Sequence, residues 1–202
     1  KDVFEFIASS DYFSGPTWMA VSKCAMDAGH GVEDSTVVTT MCRNGTEFGV
    51  RVANFEGFEW FTGPAQQVIG PMMAGYTAQD SGLDIGDSAI TETFGIGGFA
   101  MAAAPAIVPL VGGTVEEAIN YSKDMIDITT TTNPNLTISV LDFRGIATGI
   151  DVVKVIETGE LPIINTAIAH KDAGIGMIGT GLVNPPFEVF EKAVVALADS
   201  IA

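Results

Sequence analysis

Positive charge is what this sequence has least of. Nine Lys and Arg residues stand against 25 Asp and Glu residues, which gives a formal net charge of −16 over 202 residues. So acidic a surface repels the phosphate backbone of a nucleic acid and the anionic face of a membrane. We therefore expect neither nucleic acid nor membrane as a partner.

Cysteine and histidine are also scarce. The two cysteines, Cys24 and Cys42, give no disulfide framework, and the two histidines, His30 and His170, have no acidic or cysteine neighbour at ligand spacing. No signal or transit peptide is recognisable. We expect a cytoplasmic location, no metal and no cofactor, with Cys24 in the core of a helix and not acting as a nucleophile.

One stretch lacks charge altogether: from Phe94 to Val115 there is no ionisable side chain. Its length would suit a membrane span, but its glycines together with Pro105 and Pro109 would break such a helix. We expect residues 94–110 to lie in the interior, with a buried helix near residues 97–104. A polar cluster precedes this stretch and is expected at the edge of the core, where binding sites form. The cluster consists of Asp87, Ser88, Thr91, Glu92 and Thr93.

Residues 36–43 and 46–54 are rich in β-forming side chains and are joined by Asn44-Gly45. Asn-Gly between two such runs predicts a β-hairpin at residues 36–54, and a two-residue loop would pair Arg43 with Thr46. Alternation then sorts the side chains into two faces. The predicted core face carries Val37, Met41, Phe48, Val50 and Val52. The other face carries Thr36, Thr40, Cys42, Glu47 and Arg51, either as a solvated surface or as the wall of a polar cleft.

Helices are predicted at several further points. Residues 1–8 and 15–28 read as helices, the second capped by Ser14. Its apolar side would hold Trp18, Met19, Val21, Cys24, Ala25 and Ala28. Residues 114–127 carry a capping box, and residues 151–157 form a short helix that ends at Gly159. A C-terminal amphipathic helix would be capped by Asn184.

The remaining patterns are strands and irregular segments. Residues 55–76 are irregular, with Phe58, Trp60 and Phe61 packing a loop. Residues 136–141 and 162–169 read as buried strands. Because helices and strands mix without a strict βαβ alternation, the sequence predicts an α+β fold in one globular unit over residues 1–202, with a buried Gly/Ala-rich central segment.

Two glycine-rich stretches admit a functional interpretation. The second predicted strand delivers His170 and Lys171 beside residues 174–181, whose amides could form an anion nest or merely a turn. Gly95, Gly97 and Ala100 fit a loose dinucleotide-binding pattern behind a predicted strand at residues 88–94. Nucleotide binding by residues 95–100 therefore remains an alternative.

Three strings together resemble the YlbE-like family, a bacterial domain of unknown function. They are TTMCRNGTEFGVRV at 39–52, DIGDSAITETFGIGGFAMAAAPAIVPLVGG at 84–113 and PIINTAIAHKDAGIGMIGTGLVNPP at 162–186. The resemblance implies a C-terminal part of a longer protein associated with oxamate carbamoyltransferase in purine (allantoin) catabolism. It implies small anionic substrates, namely carbamoyl phosphate with oxamate or oxalurate. It also implies a partner subunit resembling succinyl-CoA synthetases, and a homo-oligomer is possible.

The resemblance carries no established catalytic residues. The enzyme is either a carbamoyltransferase to which this chain contributes a binding site or an assembly in which the chain is a scaffold. Anion binding needs cations and neutral donors, so we expect Arg43, Arg51, Lys171 and the 87–93 cluster to converge on one cleft. The full set of candidate binding residues is Arg43, Asn44, Glu47, Arg51, Asp87, Ser88, Thr91, Glu92, Asn165, His170, Lys171 and Asn184.

Overall fold

The computed structural model describes residues 1–9, 13–57 and 59–201. The helices are α1 (Asp2–Ala8), α2 (Ser14–Asp27), α3 (Ile90–Phe94), α4 (Val108–Val111), α5 (Val115–Asp127), α6 (Val152–Thr158) and α7 (Glu188–Ile201). The strands are β1 (Val38–Asn44), β2 (Glu47–Val52), β3 (Phe61–Pro64), β4 (Ile85–Gly86), β5 (Thr129–Ile138), β6 (Arg144–Ile150), β7 (Ile164–Ala169) and β8 (Met177–Val183). Short 3-10 helices cover Ala78–Asp80, Gly97–Ala103, Pro105–Ile107 and Ser139–Leu141.

The strands form small antiparallel sheets. One has the order β3-β2-β1-β4, and two others pair β5 with β6 and β7 with β8. Along the free edge of β8, Ile69 and Met72 bridge to Leu182 and Gly179, so an irregular segment extends that sheet. Helices and antiparallel strands therefore share one fold, and the predicted α+β class is confirmed.

A single large core joins the sheets to the longer helices. Phe48 from β2, Phe99 from the Gly97–Ala103 helix and Phe190 from α7 are all fully buried in it. Burying an aromatic or aliphatic side chain of this size contributes roughly 1.5–3 kcal/mol. Residues of α5 and α6, such as Met125 and Val155, belong to the same cluster.

The hairpin at Asn44-Gly45 is confirmed, but its register is not the predicted one. Arg43 pairs with Phe48, so the loop holds four residues instead of two. The carboxamide oxygen of Asn44 accepts hydrogen bonds from the backbone N–H groups of Thr46 and Glu47, at 2.9 and 2.7 Å, which closes the longer turn.

A β-bulge changes one of the predicted faces. The register shifts between Val38 and Thr40, so Val38 and not Val37 joins Met41 in the core. On β2 the alternation holds: Phe48, Val50 and Val52 are buried in the core cluster. Glu47 and Arg51 lie on the opposite face of β2, as predicted.

The uncharged stretch is only partly interior. Residues 98–102 are buried apart from a half-buried Ala100, but the segment then emerges, and Leu110 is 63% exposed. The prediction that all of residues 94–110 is buried is therefore wrong. The predicted central helix exists as a 3-10 helix kinked at Ala100. Among the described residues, every helix is too short or too polar to cross a membrane.

Two segments have a different secondary structure from that predicted. The presumed strand at 88–94 contains helix α3, in which the Thr93 hydroxyl donates to the carbonyl of Ala89 four residues earlier. The presumed glycine-rich loop at 174–181 is mostly strand β8. Gly179 and Gly181 lie within that strand because the 69–72 segment crosses so closely that a Cβ at either would meet its backbone at 2.5 or 2.3 Å.

The helix predictions mostly hold in position. Thr114 caps α5 in a capping box with Glu117, and Gly159 ends α6 in a left-handed conformation. The third predicted cap, Asn184, is wrong: α7 begins at Glu188, and the Asn184 side chain donates to the carbonyls of Leu161 and Pro162 instead. Residues 136–141 are not all strand, since β5 ends at Ile138.

The first two helices bury less than predicted. Ser14 is the first residue of α2 and not its cap, and the side chains that α2 buries are Ser22 and Met26. Trp18 and Cys24, placed in the core by the sequence, are exposed. Of the predicted loop-packing aromatics, Phe61 is buried and Trp60 is 40% exposed, while Phe58 lies outside the described residues.

Candidate functional site

An ion pair between Arg43 and Asp84 lies at the centre of the protein. Nε of Arg43 donates to Oδ2 of Asp84 at 2.8 Å, and both side chains are fully buried. The remaining guanidinium nitrogens donate to the Gly86 carbonyl at 3.1 Å, the Ser88 hydroxyl at 3.3 Å and the Thr166 hydroxyl at 2.7 Å. Arg43 thus ties the hairpin to the 84–88 segment and to β7.

A second buried charge-bearing group, Glu92, lies on α3. Its Oε1 accepts from the backbone N–H groups of Gly98 at 2.8 Å and Asn165 at 3.1 Å, and its Oε2 accepts from the Thr91 hydroxyl at 3.0 Å. Burial raises the pKa of the Glu92 carboxyl, although these hydrogen bonds act in the opposite direction.

The two groups meet at the start of β7, because Asn165 and Thr166 are neighbours in the chain. We call the resulting cluster the buried polar network. It comprises Arg43, Asp84, Ser88, Thr91, Glu92, Asn165 and Thr166. The structure therefore brings together five of the candidate residues from three distant strings, and adds Asp84 and Thr166. Because its charges are buried and hydrogen-bonded internally, this network positions the surrounding elements.

The glycine turn at 95–98 serves this network and leaves no space for a phosphate. A Cβ at Gly97 would lie 2.1 Å from Oε1 of Glu92, and one at Gly98 would lie 2.2 Å from the Ile163 carbonyl oxygen. The Gly98 amide already binds a carboxylate, that of Glu92. The dinucleotide pattern also requires a preceding strand, and α3 stands there instead. The turn thus lacks the geometry of a nucleotide site.

An open groove runs over the outer face of the hairpin. Two adjoining cavities of about 300 and 450 Å³ share Cys42 and Trp60. We call them together the hairpin groove. The first is lined by Cys42, Arg43, Asn44, Glu47, Gly49, Trp60 and Thr62. The second is lined by Pro16, Met19, Ala20, Lys23, Thr40, Met41, Cys42, Trp60, Asp87 and Ile90.

The groove combines one aromatic wall with hydrogen-bonding groups. Trp60 packs so closely on Gly49 that a Cβ there would lie 2.9 Å from the indole ring. Glu47 accepts a hydrogen bond from Thr62 at 3.3 Å. The Thr40 hydroxyl is buried, and no hydrogen-bond partner for it is found in the described part of the chain. The groove therefore offers a stacking surface and carboxylate acceptors, and the Thr40 hydroxyl lies buried behind its wall.

Arg51 lies on the groove side of β2 but is held by other groups. Its Nη2 is 2.6 Å from Nε2 of His30 and also donates to the carbonyl of Gly57. Its guanidinium carbon lies 5.8 Å from the centre of the Trp60 ring. Arg51 thus holds the Gly57 carbonyl and lies against the Trp60 indole.

His170 and Lys171 form a separate local cluster. Nζ of Lys171 donates to the carbonyl of Gln79 at 2.8 Å, and the His170 ring meets Tyr76 edge-on at 5.7 Å. Hydrogen bonds from the backbone and side chain of Thr77 lower the pKa of Asp80, and Lys171 and His170 add smaller effects.

Of the predicted convergence on one cleft, the structure brings Arg43 to Ser88 of the 87–93 cluster. Arg51 and Lys171 hydrogen-bond to other segments, at His30 and Gly57 and at Gln79. The sequence also missed Asp84, Thr166 and Trp60. Asp84 opens one of the familiar strings and Thr166 follows a predicted site residue, but nothing in the sequence signals that Arg43 would join them. Within the described ranges, no group of three or more His, Cys, Asp or Glu side chains comes together as a metal site.

Fold and site define an α+β unit with an internal polar network and an external groove. Residues 1–88 match the family described as oxamate carbamoyltransferase subunit AllG. The chain is similar to this AllG family, and since YlbE is an AllG-like protein of Escherichia coli, the resemblance inferred from the sequence is confirmed.

Individual relatives extend the likeness to the whole chain. The oxamate carbamoyltransferase subunit AllG of Escherichia coli K12 is 46% identical over 201 residues, which are 99% of this chain and 48% of that protein. The uncharacterized protein YahG of the same organism is 70% identical over 194 residues, 96% of this chain and 41% of YahG.

A solved structure shows the same fold. The crystal structure of a conserved protein of unknown function from Enterococcus faecalis V583 superposes with a TM-score of 0.96 at 73% identity, covering 100% of this chain and 48% of that one. The chain thus spans about half the length of the curated relatives it matches, 41% and 48% of the two.

Proposed function

We propose that this chain is part of a subunit of a carbamoyltransferase that acts on oxamate or oxalurate and carbamoyl phosphate in purine catabolism. The observation that carries the proposal is the 46% identity to subunit AllG along 99% of the chain. The reaction is the phosphorolysis of oxalurate to oxamate and carbamoyl phosphate, or its reverse.

The electrostatics favour a reaction that depends on assembly. Carbamoyl phosphate and oxamate are anions, and their binding calls for positive charge or amide dipoles. Arg43 is paired with Asp84 in the interior, and Lys23 at the groove is paired with Asp27. We therefore infer that the partner subunit, expected to resemble succinyl-CoA synthetases, supplies the cations that hold the phosphate.

The hairpin groove suits the other end of such a substrate. An amide or ureido group is planar and carries several N–H donors. The exposed Trp60 ring can stack on its plane, and the carboxylates of Glu47 and Asp87 can accept its N–H groups.

The decisive experiment is a phosphorolysis assay of the full-length protein with and without the partner subunit. We expect carbamoyl phosphate to form from oxalurate only when both are present. Glu47→Gln and Asp87→Asn should each raise KM for oxalurate about tenfold, since a lost hydrogen bond to a charged group costs about 1.5 kcal/mol or more. The control is Glu157→Gln, at an exposed position on α6. Absence of turnover with every combination of subunits would refute the proposed reaction.

A second candidate function, a scaffold subunit, is favoured by the exposed apolar side chains of α1, α2 and residues 103–110. The same variants distinguish a scaffold function from a substrate-binding function. If the complex assembles and turns over but the groove substitutions leave KM unchanged, the chain serves as a scaffold and the partner carries the substrate site.

A further inference from the structure

The apolar side chains of helix α1 are exposed to solvent. Val3, Phe4 and Phe6 are 68%, 78% and 66% exposed, and none of the seven residues of α1 is buried. A helix this short is not stable in water by itself and depends on packing for its stability. Its exposed aromatic residues therefore point to a covering surface.

The apolar surface continues onto α2. The ring of Phe13 meets that of Phe6 edge-on at 5.9 Å between centroids. Trp18, Val21 and Cys24 follow at intervals of three residues, so they form one exposed stripe on α2. We call this the α1–α2 surface; it comprises Val3, Phe4, Phe6, Ile7, Phe13, Trp18, Val21 and Cys24.

The α1–α2 surface differs from ordinary surface exposure. Single exposed apolar residues, such as Val195 on α7, are common on proteins and need no explanation. A contiguous set of aromatic and aliphatic side chains marks an interface. The sequence pattern of α2 predicts burial for the very stripe that the structure exposes, which is the pattern expected when the covering element lies outside the chain described.

We propose that the α1–α2 surface is the docking face for the rest of a longer polypeptide of which this chain is one half. The relatives are long enough to supply this occupant, since the chain covers only 41% and 48% of them. A covalently linked half is present at an effective concentration in the millimolar range, far above that of a free partner. An interface between two halves typically buries about 600–1,500 Å², a size that two helices with these side chains can supply.

Cys24 gives a direct reporter of this docking. In the full-length protein purified alone, we expect a maleimide reagent to label Cys24 at least about tenfold more slowly than in the variant Phe4→Asp/Phe6→Asp, with site-specific rates read by peptide mass mapping. The control is Val195→Asp, which places one aspartate on a lone exposed valine. It should leave the labelling rate at Cys24 unchanged.

The outcomes separate the possible occupants. Slow labelling that is the same over a roughly fifty-fold range of protein concentration supports the intrachain interface. Slow labelling that appears only at high concentration, or only after the partner subunit is added, overturns it in favour of a second copy or that subunit. Rapid labelling of the full-length protein also overturns it. If the double variant does not fold, the concentration series on the unmodified protein still decides the question. None of these results depends on the substrate or on turnover.

Discussion

The buried polar network holds charged groups in the interior, whereas the α1–α2 surface exposes apolar groups to solvent. The first buries Arg43, Asp84 and Glu92 and gives each of them hydrogen-bond partners inside the chain. The second leaves Phe4 and Phe6 exposed. A buried charge must be satisfied locally because an unpaired one costs several kcal/mol, whereas an apolar side chain can be covered by any complementary surface. The comparison indicates that the buried charges are paired within the chain, although Oδ1 of Asp84 has no partner among the described residues, and that the α1–α2 surface is left uncovered.

Removing the central cation should have the largest effect. Arg43→Ala leaves the Asp84 carboxylate buried without its partner, so we expect a loss of about 3–5 kcal/mol in the free energy of unfolding. Lys23→Ala on α2 removes an ion pair that is half exposed and should cost only ~0–1 kcal/mol. Urea unfolding of both full-length variants tests the contrast, and similar losses would show that the two regions do not differ as described.

Adding one methyl group tests the packing of the same two regions. Gly98→Ala would push a Cβ against the Ile163 carbonyl, a backbone atom that cannot move aside, and should cost about 3 kcal/mol. Gly15→Ala on α2 meets no atom within 4 Å and should stabilise the protein by about 0.5–1 kcal/mol. Thermal unfolding shows whether each substitution raises or lowers the stability. A destabilising Gly15→Ala would indicate that the other half of the polypeptide packs directly on that position.

The pH dependence of stability should report on Glu92. Burial raises its pKa in the folded state, so the folded protein binds this proton more tightly than the unfolded chain. The stability that this provides is present below the unfolded pKa and is lost as pH rises through the folded pKa. Glu92→Gln keeps the shape without the charge, so its stability relative to the native protein should grow as pH rises from the unfolded pKa through the folded pKa. A difference that is constant over this range would contradict the assignment.

The smallest expected effect comes from two buried hydroxyls. Ser22 on α2 is buried with no hydrogen-bond partner among the described residues, so Ser22→Ala should stabilise the protein by up to about 1 kcal/mol. Thr93 on α3 is buried and donates to the Ala89 carbonyl at 2.9 Å, so Thr93→Val should cost about 1 kcal/mol. Denaturant midpoints measure both changes in stability. A change of the same sign in Ser22→Ala and Thr93→Val would show that the two hydroxyls do not differ in their hydrogen bonding.

Local sequence signals predicted those parts of the fold that depend on residues close together in the chain. The turn at Asn44-Gly45, the capping box of Thr114 and Glu117 and the helix end at Gly159 were all predicted, because each depends on residues within a few positions of one another. The predictions failed where a neighbour distant in sequence decides. Residues 88–94 form α3 against β1, and residues 177–183 form a strand that pairs with β7 and is bridged along its other edge by Ile69 and Met72.

The candidate site divides in the same way. The sequence by itself determined the acidic surface, the α+β class, the family resemblance and the residue types able to bind a small amide or anion. Only the tertiary structure decided that Arg43 pairs with Asp84 and that Arg51 and Lys171 hydrogen-bond to other segments. It also decided that the Glu92 carboxyl occupies the glycine turn. The physical reason is that a buried charge pairs with whichever group the fold brings within about 3 Å, a neighbour that may lie 41 residues away along the chain, as Asp84 does from Arg43.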